Sequence, residues 1–194
     1  MEHITSSGKS ICDRSFADQV REESGVEIDR CYQCLTCTLG CDASFAMDYP
    51  PNQVVRLSQL GLKDEVLGSS SIWVCTACES CVTRCPNEID IPHLMDTLHQ
   101  IALREGVKVK EPSVPVFHKV FLAPVKQYGR QFEVMMTGLF IFRARKFSLN
   151  DMITNATLGL NMFLKGKLKF MPPSIKDKKA IGDIFKKTMG GGSR

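Results

Sequence analysis

An all-α fold is what this sequence predicts, and three observations carry it. Apolar residues recur at three- and four-residue steps in one segment after another. Strictly alternating stretches that would mark strands are nearly absent. Between Cys41 and Cys75 lie 33 residues of helical pattern, so whatever chemistry the cysteines serve is held between helices.

The first eleven residues are polar and small, with no apolar core for a signal sequence, and read as an arm. Cys12 stands alone as a spare thiol. Phe16, Ala17 and Val20 give a helix over residues 15–24 closed by Gly25. After Cys41, Pro50 and Pro51 make a turn, and Asn52 is placed to cap a helix through Val54, Val55, Leu57 and Leu60 that ends at Gly61. A short helix over Lys63–Leu67 follows; Gly68 and three serines break it, with Ser71 as the cap of the next turn. Pro92 suits the first turn of a helix carried by Leu94, Met95, Leu98, Ile101, Ala102 and Leu103 as far as Gly106. From Lys108 the composition shifts. Pro112 and Pro115 read as extended chain and a domain boundary. Helices are then expected from Val116 to about Gly129, interrupted by Pro124, from Phe132 to Phe142, and from Leu149 to Leu164. The division expected is 1–24 as arm and short helix, 25–110 as the cysteine-bearing domain, and 111–194 as a helical extension with a basic tail.

The chemistry lies in two cysteine runs. Cys75, Cys78, Cys81 and Cys85 have two, two and three intervening residues, with Pro86 after the last, and Cys31, Cys34, Cys37 and Cys41 repeat the spacing. Such a run wraps one loop of backbone over three corners of a [4Fe–4S] cube. In chains with two runs, the fourth cysteine of each reaches the other run's cluster, as in bacterial ferredoxins. Two clusters are therefore expected, one held by Cys31, Cys34, Cys37 and Cys85, the other by Cys75, Cys78, Cys81 and Cys41. A structural zinc site needs only two CxxC pairs and four ligands, so a zinc-binding interaction module is the reading from another class. Nine cysteines, an odd number, argue against a disulfide framework.

Charge and motifs narrow the function. Residues 1–159 carry 16 Lys+Arg against 19 Asp+Glu, a net −3, and residues 160–194 carry 9 against 2, a net +7. The basic tail lacks the interleaved aromatics and known fold that nucleic-acid binding requires, which leaves a solvated face or a contact to an acidic partner. No apolar run is long enough for a bilayer span. There is no nucleophile paired with a base and no nucleotide-binding loop, and no catalytic residue is assigned. Arg30 and Arg84, each beside a ligand, read as solvated. Trp73 and Tyr32 read as packing that excludes water, and His93 and His99 as surface or helix-packing residues. Met135, Met136, Met152, Met162 and Met171 suit a loose core or a partner groove.

The stretches CYQCLTCTLGC, WVCTACESCVTRCPNEIDIP, VPVFHKVFL and MITNATLGLNMFLKGKL resemble the iron–sulfur C subunits of the soluble heterodisulfide reductases of methanogens, over roughly residues 25 to 185. The cysteine motifs are shared with iron–sulfur subunits of succinate dehydrogenase and of glycolate oxidase type enzymes. There is, however, no plant-type [2Fe–2S] domain, and the C-terminal portion points to the heterodisulfide reductases. The resemblance implies an α-helical ferredoxin fold and a cytoplasmic electron relay. That relay would run between a flavin-containing, iron–sulfur A subunit and a catalytic B subunit that reduces the disulfide of coenzyme M and coenzyme B. A hydrogenase or formate dehydrogenase would stand in the larger, flavin-bifurcating complex. An iron–sulfur subunit of a glycolate or lactate oxidase type flavoenzyme is the alternative. The region after Pro115 is expected to complete the core, to dock on a neighbouring protein of the complex, or both.

Overall fold

The fold is given by a computed structural model, which describes residues 13–143, 161, 164–166, 175 and 178–189. Cys12, the arm before it, most of the helix expected over Leu149–Leu164, and Lys167 and Lys169 of the basic tail lie outside the described residues. Among the described residues, every regular element is helical. The chain divides into two units, Met1–Glu111 and Pro112–Arg194.

In the first unit, α1 (Arg14–Ser24) starts where the Asp13 carboxylate accepts the Ser15 amide at 3.0 Å and stops at left-handed Gly25. A 3-10 turn, Ile28–Arg30, leads to the first cysteine run. Then come α2 (Thr36–Leu39), α3 (Pro51–Gln59), α4 (Lys63–Leu67), α5 (Ser71–Val74), α6 (Ser80–Thr83) and α7 (Ile91–Arg104). Helix α7 is the central element and packs against α1, α4, α5 and α6. Its Leu94, Met95, Leu98, Ile101 and Ala102 are buried in the apolar core, as are Phe16 and Val20 of α1, Val54 and Val55 of α3, and Ile72 of α5. Asp90 caps α7 by accepting the His93 amide at 3.0 Å, and Pro92 sits in its first turn.

Two caps differ from the sequence reading. Helix α3 begins at Pro51 with Pro50 as its N-cap, so Asn52 lies inside the first turn, and its side chain bonds elsewhere. Helix α5 has Ser70, not Ser71, at its N-cap, and neither hydroxyl caps it. Both instead hold the loop before α3: Ser70 Oγ accepts the Asp48 amide at 3.2 Å and Ser71 Oγ accepts the Tyr49 amide at 2.7 Å.

The Asp48 carboxylate completes that clasp. It accepts the Ser70 amide at 2.6 Å and the Lys110 ammonium at 2.9 Å. The Ser70 amide is the larger cause, and together they hold the carboxyl at about 2, well below its ordinary value. A carboxyl depressed on folding stabilises the fold above its unfolded pKa, and this stability is lost as pH falls from near 4 through about 2. Asp48→Asn is expected to cost on the order of 1 kcal/mol at neutral pH, discounted because the group is exposed. It is also expected to flatten the loss of stability across that acid range. Denaturation midpoints across the same range check both, and an unchanged acid slope in the variant would remove Asp48 from the account.

The second unit is built on α8 (Ser113–Tyr128), which packs against α9 (Glu133–Arg143) and α10 (Lys178–Met189). The segment expected to be extended is already helical at Ser113, with Pro115 in the first turn, where a missing amide costs no helical bond. Pro124 does not interrupt the helix. It is buried with Val120, and packing of that face outweighs the one hydrogen bond a proline forfeits. Left-handed Gly129 ends α8, its amide bonded to Val125 O at 2.8 Å. Phe117 stands edge-on to Phe140 at 5.7 Å between ring centres, joining α8 to α9. In α10, Ile181 and Phe185 are half-buried while Lys178, Lys179, Lys186 and Lys187 are exposed. Among the described residues, no helix is long and apolar enough to cross a membrane.

Candidate metal centre

The two cysteine runs fold into the same loop twice. In the first, Gln33 (φ 63°) and Leu35 (φ 67°) are left-handed; in the second, Ala77 (φ 50°) and Glu79 (φ 60°) are left-handed at the same offsets from the leading cysteine. None is glycine, and each such residue costs about 1–2 kcal/mol. In each loop a left-handed residue runs directly into a helical one, Leu35 into Thr36 and Glu79 into Ser80, and such pairs of opposite hand turn successive amides toward one side, forming a concave nest for a negatively charged group. A one-turn helix follows each loop, α2 at Thr36 and α6 at Ser80, and α2 packs on α6.

The eight described cysteines are free thiols. Cys34 and Cys78 are exposed; Sγ of Cys34 lies 3.4 Å from the Thr36 hydroxyl, and that of Cys78 lies 3.5 Å from the Ser80 hydroxyl. Those hydroxyls are the main reason both thiols are more acidic than an ordinary cysteine. Burial pushes the thiols of Cys37 and Cys75 up, and that of Cys81 to about 11.

The fourth cysteine of each run leans toward the other run. Cys41 lines one pocket with Cys75, Cys78 and Cys81, floored by Ile91, Pro92 and Met95, with a volume of about 530 Å³ including its mouth. Cys41 is also close enough to Cys75 to raise its pKa further. On the other side, the Asn87 side-chain amide donates to Arg30 O, tying the loop after Cys85 to the first run. Cys34 and Cys85 both act on the Tyr32 phenol. The Ile89 amide donates to Cys85 Sγ at 3.4 Å.

The residues beside the ligands separate clearly. Trp73 is buried and stacks on His99 with 4.4 Å between ring centres, as packing requires. Tyr32, expected to pack, does not: it is 63% exposed. The first run meets solvent here, and Leu39 and Phe45 are more exposed still. His93 is on the surface. The Arg84 guanidinium lies over Gly40, where any Cβ would collide with it.

Sequence reasoning misses a polar network behind the first run. The Gln33 amide nitrogen donates to Cys31 Sγ at 3.2 Å and to Asn52 O at 3.1 Å, while its oxygen accepts from Asn52 Nδ2 at 2.9 Å. Asn52 Oδ1 in turn accepts the Thr38 hydroxyl at 2.6 Å. Only an asparagine freed from capping could take this part, and nothing in the local pattern announces it.

Residues 27–89 match the 4Fe–4S dicluster domain family. Over this stretch the chain is similar to 4Fe–4S dicluster domains. The chain is 43% identical over 79 residues (41% of this chain, 42% of the relative) to the second iron–sulfur C subunit of the CoB–CoM heterodisulfide reductase of Methanocaldococcus jannaschii. It is 32% identical over 98 residues (50% and 53%) to the C subunit of the H2:CoB–CoM heterodisulfide, ferredoxin reductase of Methanothermobacter thermautotrophicus. It is also 37% identical over 92 residues (47% and 37%) to the C subunit of the ferredoxin:CoB–CoM heterodisulfide reductase of Methanosarcina acetivorans. The chain spans about half the length of these relatives or less, and the matched stretches are shorter than the resemblance drawn over residues 25–185.

The donors of this stretch suit such clusters. Among the described residues, no three His, Cys, Asp or Glu side chains converge on one ion. A cube, by contrast, distributes four thiolates over four irons. Burial first, and the neighbouring cysteines after it, push the thiols of Cys37, Cys75 and Cys81 up, and bound iron would supply the positive charge that draws their protons off.

Proposed function

We propose that this chain is the iron–sulfur relay subunit of a heterodisulfide reductase. Cys31, Cys34, Cys37 and Cys85 would hold one [4Fe–4S] cluster, and Cys75, Cys78, Cys81 and Cys41 the other. The observation that carries the ligand assignment is the pocket in which Cys41 joins the three leading cysteines of the opposite run. The kinship of the chain supports the partner assignment: a flavin-containing subunit on one side and, on the other, a catalytic subunit that reduces the coenzyme M–coenzyme B disulfide, in the cytoplasm. When bound, each cluster accepts and releases one electron. The residues of this chain provide the thiolates, direct loop amides at the sulfurs, and exclude water from the inner side with Ile91, Pro92 and Met95. With every iron held by a thiolate, no corner is open to substrate, so the chain relays and does not catalyse. The second unit, with its basic helix α10, is proposed as the arm that fixes the relay in its assembly, since a fixed geometry outperforms repeated diffusional encounter.

The test is to purify the full chain from native extract without oxygen. Two cubes' worth of iron and acid-labile sulfide per chain is expected, with a flavoprotein and a further iron–sulfur protein co-purifying. A colourless zinc protein would overturn the cofactor reading. A brown protein that accompanies a glycolate or lactate oxidase type flavoprotein would overturn the partner reading alone.

A further inference from the structure

The two loops match in nearly everything that touches sulfur. Thr36 and Ser80 are equivalent, their hydroxyls 3.4 Å and 3.5 Å from Cys34 and Cys78 Sγ. The left-handed residues are equivalent as well. Apart from the Ile89 amide on Cys85 Sγ, they part at the second residue after the leading cysteine, which is Gln33 in one loop and Ala77 in the other. Gln33 places a donor 3.2 Å from Cys31 Sγ, and alanine has no side-chain donor to place.

The orientation of that donor is fixed by its partners. Asn52 O can only accept, so the group 3.1 Å from it must be the Gln33 nitrogen, and the remaining proton on that nitrogen faces sulfur. The Gln33 oxygen is occupied by Asn52 Nδ2, and Asn52 is held by Thr38. Rotating the amide would break every bond that Gln33 makes here.

We infer that Gln33, acting through Cys31, raises the reduction potential of the first-run cluster and leaves the second-run cluster unaffected, so that it separates the two potentials. This rests on the ligand assignment proposed above. A cluster that gains an electron becomes more negative, and the added charge resides partly on its thiolate sulfurs. A fixed N–H aimed at one of those sulfurs stabilises the reduced form more than the oxidised form, and hydrogen bonds to sulfur are a recognised control of cluster potential. Gln33 is thus a positioning residue for electron transfer.

The experiment is a dithionite titration of the cluster-loaded full chain, followed by electron paramagnetic resonance, comparing the native protein with Gln33→Ala and Gln33→Met. Gln33→Ala removes the donor without adding charge and gives the first loop the residue that the second carries at Ala77, which protects the test if the methionine variant folds poorly. The Cys31→Ser variant marks which signal belongs to the first run. In both Gln33 variants the marked signal is expected to shift negative, by about tenfold in the reduced-to-oxidised ratio at fixed potential, or about 59 mV for one electron. The other signal should stay in place. If both midpoints hold, or both move equally, while thermal stability falls, Gln33 is only a structural brace and the inference is overturned. If the native chain takes up no [4Fe–4S] cluster, it is the underlying cofactor reading that fails.

Discussion

Cys85→Ser is expected to strip or distort the cluster of the first run and to leave that of the second intact. The reason is spatial, since Cys85 is tied by the Asn87–Arg30 bond to the loop that carries Cys31, although in sequence it closes the opposite run. A serine hydroxyl gives up its proton far less readily than a thiol, so one iron corner would lose its anchor. Up to half the bound iron should be lost, and one of two resonance signals should change. The complementary variant, Cys41→Ser, should affect the other signal, because Cys41 shares a pocket with Cys75, Cys78 and Cys81. If Cys85→Ser and Cys75→Ser altered the same signal, the crossed pairing would be wrong.

Gly61→Ala should be the most damaging alanine substitution among the described glycines of the first unit. Gly61 is left-handed, with φ at 68°, and a Cβ there would come within 3.0 Å of three backbone atoms of Asp13. That contact is where the start of α1 is fastened, through the Asp13 amide bonded to Gly61 O at 3.0 Å. A left-handed alanine costs about 1–2 kcal/mol, and a clash that only backbone movement can relieve adds about 1–3 kcal/mol. The total is roughly 2–5 kcal/mol, enough to loosen α1 from α3 and α7. Gly106→Ala is the control: its φ is 67°, but its Cβ would meet open space, so only the conformational cost applies. Thermal unfolding of the cluster-loaded chains should give a clearly larger drop for Gly61→Ala. Equal drops would mean that the Asp13 contact yields freely.

Both effects show what can and cannot be seen in the residues alone. Helix α4 is legible at both ends, because Gly61 and Gly68 bracket Lys63–Leu67 and leave little choice. The end of α1 at Gly25 is legible for the same reason. The cysteine spacing announces two matched loops, since metal ligation demands a local pattern. What depends on partners distant in sequence is not legible. Asparagine near a helix start usually caps it, yet Pro51 takes the first helical position and turns Asn52 toward Gln33, 19 residues away. Ser71 misleads likewise, since its hydroxyl serves Tyr49 and not its own helix. Local propensity makes Pro124 a break, and burial against neighbouring helices overrides it. The place of Tyr32 beside a ligand suggests packing, and only the direction in which the loop faces shows it to be exposed.

The contrast between accessible and buried thiols bears on how the protein is built in the cell. Cys34 and Cys78 are exposed, and their hydroxyl neighbours lower their pKa, while burial pushes those of Cys37, Cys75 and Cys81 up. Thiolates are what both metals and oxidants attack. The one exposed sulfur on each loop is therefore the atom most open both to incoming iron and to oxygen.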